Sequence, residues 1–262
     1  MKPAPDICFL VPVYNHGEPI TATLQRLEPY GLPCLLVDDG SEPGCARILE
    51  QAAEQYAWVD LIRRPANSGK GAALKAGFTA LKKRGYTHAF QIDADGQHDT
   101  SGVEVFLNLA ARNPQALILG VPIYDHSVSR TRYYGRYLSH VWVWINSLSL
   151  GIRDCMCGFR IYPLDQTMQV LDHYHLGDRM EFDIEILVHM AWQDVLMINQ
   201  KVAVGYPEDG TSHFRLVKDN VRISWAHTRL FFGMLRRLPR LLKRRLNRRS
   251  MARVSYPEDQ AG

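Results

Sequence analysis

Short apolar runs alternate with segments of helical periodicity through the first 120 residues, and no other feature of this chain restricts its fold as much. Apolar runs at 7–11, 35–37, 59–62, 88–92 and 116–119 read as strands, and the segments 19–27, 46–55, 72–83 and 103–111 read as helices. Parallel strands need long crossovers, and a helix of about ten residues supplies one. The pattern predicts an α/β domain with a Rossmann-like, mostly parallel sheet flanked by helices. Past residue 120 the alternation stops. An aromatic-rich helix is expected over 133–150, a helix over 181–192, a strand over 195–204 and a basic amphipathic segment over 221–246.

At 262 residues and 46% hydrophobic content the chain can bury a full core. No apolar run approaches the roughly 18–20 residues that span a bilayer. The N-terminal residues lack the layout of a signal peptide, so a cytoplasmic protein is expected. Five cysteines, an odd number, argue against a disulfide framework, and Cys155 and Cys157 read as semi-buried thiols.

Charge is distributed unevenly. Eleven Lys or Arg residues and no acid fall between Asn220 and Arg253, so the net charge of +4 leaves −7 on the rest. Within 221–246 the apolar residues Ile223, Leu230, Phe231, Met234, Leu235, Leu238, Leu241, Leu242 and Leu246 recur at helical spacing, and Pro239 is expected to kink or divide that helix. A basic amphipathic helix of this type lies in a membrane interface. Nucleic acid is the rival partner for the charge, but phosphate backbones do not reward a leucine stripe. An anionic membrane surface, and no nucleic acid, is the partner expected for a tail over 216–262.

Polar clusters follow the apolar runs directly, at strand ends where α/β sheets bind ligands. Asp93-Ala94-Asp95, with Gln97 beyond, places two carboxylates on one turn. A divalent cation such as Mg²⁺ or Mn²⁺ relieves their repulsion and bridges phosphates. The same residues also read as an acidic loop capping a helix, and the residues alone leave both readings open. Asp38-Asp39-Gly40-Ser41 reads either as a turn or as a carboxylate acceptor for base or ribose. Asn67-Ser68-Gly69-Lys70-Gly71 opens a helix with backbone N–H groups and a cation suited to a diphosphate, without the spacing of a Walker loop.

These motifs, together with Pro12-Val13-Tyr14-Asn15, resemble in order and context the donor site of family 2 inverting glycosyltransferases. The branch most resembled is that of the dolichyl-phosphate sugar synthases. The resemblance covers residues 7–100. It implies a GT-A fold, a nucleotide-sugar donor held by Pro12, Tyr14, Asp39, Lys70, Asp93 and Ala94, and a metal site at Asp93, Asp95 and Gln97. His16 stands where the family usually has a glutamate. The division implied is a glycosyltransferase domain over 1–215, with a donor half over 1–120 and an acceptor half over 121–215.

The acceptor half is also similar to that branch. Arg132, Arg136 and Ser139 stand where the family meets phosphate, although Arg130, Arg132 and Arg136 also read as a solvated helix face. Asp154, Gly158, Phe159 and Arg160 resemble a second motif, which implies Asp154 at the catalytic centre and Arg160 at a phosphate. Asp183 fills the position of a general base for a hydroxyl acceptor; a surface aspartate is the competing reading, and a phosphate acceptor needs no base. Asp183 and Glu185 lie on nearly opposite sides of a helix, so both cannot face one site. His213, in a loop after a strand, is the remaining candidate for metal or diphosphate. The activity implied is transfer of a sugar, with inversion, to a lipid-like acceptor at the inner membrane face. A nucleotidyltransferase or a sugar-nucleotide-binding protein is the alternative of another class, and the Gly-rich basic loop that nucleotidyltransferases carry after the first strand is missing.

Overall fold

The structure is a computed structural model that describes residues 5–97, 99–124, 130–205 and 215–248. Seven strands make one sheet: β1 Ile7–Val13, β2 Cys34–Asp38, β3 Val59–Arg63, β4 His88–Gln91, β5 Leu117–Tyr124, β6 Arg160–Pro163 and β7 Met197–Val204. Their spatial order is β3-β2-β1-β4-β6-β5-β7. β1 is parallel to β2 and β4, β2 to β3, and β5 to β7. β6 runs antiparallel to both of its neighbours, β4 and β5. Two reversals cancel, so the other six strands all end at one edge of the sheet.

The helices are α1 Gly17–Leu27, α2 Pro43–Gln55, α3 Lys70–Lys83, α4 Val103–Arg112, α5 Arg130–Ser147, α6 Leu164–His173, α7 Phe182–Trp192 and α8 Leu216–Arg248. Successive strand side chains point to opposite faces, and each face has its own core. Phe9, Val11, Leu36 and Phe90 pack with Ile20 and Leu24 of α1, Leu49 of α2 and Phe106 of α4. Leu10, Leu35 and Ala89 pack on the other side with Leu74 and Phe78 of α3, Val170 of α6, Ile186 of α7 and Leu230 of α8. All five residues of β2 are buried, as a strand covered on both faces requires.

The alternating plan of the first 120 residues is present as expected. β6 and α6 were not legible. Arg160-Ile161-Tyr162-Pro163 carries a charge and a proline, yet all four residues are buried. Only the polar partners that Arg160 meets in the folded chain make that burial possible.

The tail differs from expectation in two respects. Ile223, Leu230, Met234 and Leu241, expected to face a membrane, are buried against the body of the protein, with Phe231 and Leu238 packed at the margin. α5 and α7 are the helices they cover. α8 also continues through Pro239 as a single helix, so of the two expected effects, a kink or a division, the division does not occur. A proline inside a helix removes one hydrogen bond and crowds the preceding turn. Contacts on either side offset that cost: Arg237 stacks over the Trp192 ring at 4.5 Å, and Arg244 donates to the carbonyls of Ala191 and Trp192, both at 3.0 Å.

Candidate active site

Four strand ends converge on the polar edge of the sheet. After β1 the chain turns through Asn15, whose φ of 53° is left-handed. Asparagine tolerates that region better than most residues. The turn is locked to the one after β2. The Asn15 amide donates to Ser41 Oγ at 3.0 Å, and the Glu42 amide donates to Asn15 Oδ1 at 2.9 Å. Pro12 and Tyr14 are half-buried beside it, and His16 is held through Nδ1 against the Tyr14 carbonyl at 2.8 Å.

Asp38 and Asp39 are both buried. Asp38 accepts from the Ser41 amide at 2.8 Å, closing the turn. Asp39 accepts from the amides of Ser68 at 3.2 Å and Gly69 at 2.6 Å and pairs with Arg64. The N–H groups of this loop, expected to serve a diphosphate, are thus in part taken by Asp39. Asp39 holds the Asn67–Gly71 loop in place. Gly40 and Gly69 make the approach possible: both have positive φ, and a Cβ on Gly40 would lie 2.5–2.7 Å from the Ala66–Asn67 backbone. Arg64 was missed in the sequence, although a signal for it exists. Arg63 ends β3 and Arg64 follows it, just as Asp38 ends β2 and Asp39 follows, and Asp38 pairs in register with Arg63.

Lys70 begins α3 and forms the hub of the site. Its Nζ lies 2.9 Å from Asp93 Oδ1, 3.0 Å from Asp93 Oδ2 and 3.1 Å from Asp183 Oδ2. Burial alone would depress the ammonium, but the Asp183 and Asp93 carboxylates outweigh it and hold Lys70 above its ordinary range. Asp183 is itself buried and engaged at its other oxygen by Arg160 Nη1 at 3.0 Å. Arg160 also donates to Tyr162 Oη at 3.0 Å. Donor-side and acceptor-side motifs thus meet in one chain of charges: Asp93, Lys70, Asp183, Arg160.

Arg160 differs from its expected place. It is fully buried, with no exposed surface. Its side chain points off β6 into the layer between the sheet and α7, where the Asp183 carboxylate compensates the charge and Tyr162 Oη accepts a hydrogen bond. Asp154, expected at the catalytic centre, is also enclosed. It accepts from the amides of Met156 at 2.8 Å and Cys157 at 2.6 Å, and lies 3.3 Å from His140 Nε2. It shapes the loop that leads into β6. The free thiol of Cys157, in the same loop, is pushed up to about 12 by burial, so it stays protonated.

That loop seats Asp93. A Cβ on Gly158 would lie 2.0–2.2 Å from the Asp93 carboxylate atoms, so only glycine lets the carboxylate rest there. Gln91 Nε2 adds a hydrogen bond to Asp93 at 3.2 Å. Asp95 accepts from the Gln97 amide at 3.1 Å in a tight turn, half-exposed like Gln97, while Ala94 is buried between the two aspartates. Among the described residues no three His, Cys, Asp or Glu side chains cluster as a closed metal cage. Two aspartates at an open strand end instead suit a cation completed by phosphate oxygens, the arrangement Mg²⁺ and Mn²⁺ accept.

Ser139 is buried on α5. Arg132 and Arg136 belong to the same helix, which begins just past β5, but their side chains lie outside the described residues, as does His213 altogether. Glu185 faces away from Asp183. It accepts from the Gly177 amide at 2.6 Å and pairs with Arg229 of α8.

An α/β sheet that gathers such a polar cluster at its strand ends has the usual ligand edge of an α/β enzyme. Residues 8–171 match the family model described as glycosyl transferase family 2, and the chain belongs to that family. It resembles the dolichyl-phosphate sugar synthase-like branch, and its fold is GT-A. A dolichyl-phosphate beta-glucosyltransferase of Trichomonas vaginalis is 28% identical over 207 residues, covering 71% of this chain and 62% of that protein. A polyprenol monophosphomannose synthase of Mycolicibacterium smegmatis is 28% identical over 177 residues, covering 62% of this chain and 63% of that protein. The chain thus spans somewhat under two thirds of the length of these two relatives. Among solved structures, the mannosyltransferase PcManGT from Pyrobaculum calidifontis, in complex with GDP-Man and Mn²⁺, superposes with a TM-score of 0.56 at 16% identity, covering 98% of this chain and 78% of that one.

Proposed function

We propose that this protein transfers a sugar, with inversion, from a nucleoside diphosphate donor to the phosphate of a polyprenyl-type lipid at the cytoplasmic face of a membrane. The carrying observation is the Asp93–Lys70–Asp183–Arg160 chain within a family 2 frame. Residues 1–120 bind the donor and residues 121–215 present the acceptor. The turns at Pro12, Tyr14 and Asp39 border the nucleoside, with Asp39 acting by holding the Asn67–Gly71 loop. Asp93, Asp95 and Gln97 would hold a divalent cation, which would supply positive charge for a departing diphosphate. Lys70 adds a fixed positive charge beside Asp93, on the side where the leaving phosphate accumulates charge.

The acceptor class follows from the surroundings of Asp183. A general base needs an oxygen free to reach the acceptor and take its proton. Each oxygen of Asp183 is already engaged by a cation, Lys70 on one side and Arg160 on the other. The hydroxyl-acceptor reading, in which Asp183 is the base, requires one of those pairs to open. A lipid phosphate is anionic at neutral pH and needs no base. The names of the two relatives above point the same way. Asp183 then fixes Lys70, and through it Asp93.

The test offers UDP- and GDP-sugars with Mn²⁺ to paired acceptors, a polyprenyl phosphate and the matching polyprenol. Transfer to the phosphate alone, abolished by chelator and by Asp95→Ala, is the expected result, with the product's anomeric configuration opposite to the donor's. Equal transfer to the free alcohol would return Asp183 to the role of base. Undiminished transfer in excess chelator would remove the cation.

A further inference from the structure

α8 carries apolar side chains on two faces, and only one of them is inside the protein. Ile223, Ala226, Leu230, Met234 and Leu241 are buried. On the opposite face Val217, Val221, Trp225, Phe232, Leu235 and Leu242 recur at three-, four- and seven-residue steps, which align them in one stripe. All six are exposed, from 42% at Leu235 to 73% at Val217. This stripe is distinct from the one the sequence suggested. Only Leu235 and Leu242 belong to both.

The stripe is bordered asymmetrically. Lys218, Arg236, Arg240 and Lys243 lie along one side and are exposed. On the other side runs α5, whose Trp142 meets Phe231 edge-on at 6.3 Å and His227 at 6.1 Å. α5 itself exposes Leu138, Trp142 and Ile145. Two neighbouring helices thus share an apolar outer face with a tryptophan from each and a cationic rim. Soluble monomers rarely leave so large an apolar face uncovered.

The face also has a defined position relative to the site. α7 begins at the Asp183 cluster, and its first turn meets α8 through the Glu185–Arg229 pair. Its far end meets α8 through Arg244 and Asp194. Residues 217–228 therefore extend past the start of α7, on the side of the sheet edge where Asp93 and Lys70 stand. The first turns of the exposed stripe, Val217, Val221 and Trp225, belong to this extension past the start of α7.

We propose that the α5–α8 outer face docks the protein reversibly onto an anionic lipid bilayer, with the first turns of α8 on the site's side of the sheet. The proposal rests on the reading of the acceptor as a membrane lipid and adds the surface that brings the site to it. Tryptophan rings with an apolar body and a polar N–H suit the headgroup boundary, and arginine and lysine along one rim meet lipid phosphates. No helix among the described residues is long and apolar enough to cross a membrane, and the contact proposed is an interfacial one. Charge selects lipid over a second copy of the chain. Pairing two such faces brings cationic rims together, whereas an anionic leaflet complements them.

The test is co-sedimentation of the full chain with vesicles of phosphatidylglycerol and phosphatidylcholine, beside vesicles of phosphatidylcholine alone. Partitioning is expected to favour the anionic vesicles and to weaken with salt. The variant carrying Val221→Ser, Trp225→Ser and Phe232→Ser should lose at least tenfold in partitioning while keeping its sugar-nucleotide affinity and its melting temperature. Changing Arg236, Arg240 and Lys243 to glutamine should erase the preference for anionic lipid. A serine variant that sediments like the parent overturns the proposal. So does a parent chain that ignores vesicles and instead forms a dimer that the serine variant dissociates. Binding with no sugar transfer to a polyprenyl phosphate would sink the functional reading and leave the docking face intact.

Discussion

A single missing carbon atom sets the candidate site's geometry at the residue scale. Gly158 lies against the Asp93 carboxylate so closely that a methyl group would occupy the same space. Gly158→Ala should therefore displace Asp93 from Lys70 while leaving the two apolar cores untouched. The expected result is a loss of roughly 10²–10³ in turnover, the size seen when one preorganised electrostatic group is removed. Mn²⁺-dependent donor affinity should fall with it, measured by calorimetry on the folded variant. Unchanged kinetics would mean that Asp93 relaxes without consequence. In the sequence Gly158 could be placed in a motif, but no spacing rule tells that its hydrogen faces a carboxylate 65 positions earlier. Lys70 and Asp183 were likewise readable as separate candidates, and their shared contact was not. Arg160 shows the limit more sharply. An arginine in sequence reads as a surface or phosphate residue, and only Tyr162 and Asp183, brought to it by the fold, allow it to be buried with its charge.

Among the elements, α8 and α7 carry a titration that the active site does not share. His189 of α7 is pushed down to about 3, by burial first and then by the Arg237 and Arg229 charges. His227 of α8 is pushed down to about 4 by burial. Both stay neutral in the folded protein at pH values where an unfolded histidine takes a proton, near 6.5. Their contribution is complete above pH 6.5 and is lost as pH falls toward 4 and below, because the unfolded chain binds protons that the folded one refuses. Between pH 7 and pH 5 each histidine should cost up to about 2 kcal/mol of stability. Glu185 opposes this in part, since burial holds its carboxyl above the ordinary range and the folded state takes its proton more readily. Denaturant melts at the two pH values measure the net drop. His189→Phe keeps the ring against Tyr174 and Trp192 and should remove about half of that drop. An unaltered pH slope in the variant would contradict the assignment. The helical character of 221–246 was legible from its period, but which of its two apolar faces turns inward was not. Both faces have leucines at helical spacing, and the choice belongs to α5 and α7.

For the whole molecule, the sheet itself joins the two halves that the sequence divides at residue 120. β6 inserts between β4 and β5, so the strands of the first half do not form a continuous sheet without a strand from the second. α6, α7 and α8 complete the core on the α3 side. A fragment of residues 1–120 should accordingly lack a cooperative melt and bind a hydrophobic dye, because β4 would expose an unpaired edge and β5 would lose both of its partners. A sharp thermal transition in that fragment would show the donor half to be an independent domain. The full chain should melt in one transition and rise with donor and Mn²⁺ present, by about 2.7 kcal/mol at a hundredfold excess over the dissociation constant.

The sequence by itself determined what depends on local period and local chemistry. Alternating apolar runs and helices set the α/β plan, and the acidic, glycine-rich and basic clusters at strand ends marked the edge that carries the candidate site. Those signals are complete within ten or fifteen residues. Tertiary structure decided whatever needs partners from distant positions. It buried Arg160 on an unforeseen strand, committed the Ser68 and Gly69 amides to Asp39, joined Asp93 to Asp183 through Lys70, and turned one apolar face of α8 inward and the other out. Burial of a charge or a helix face is decided by what stands opposite it, and a linear sequence does not carry that opposition until the chain folds.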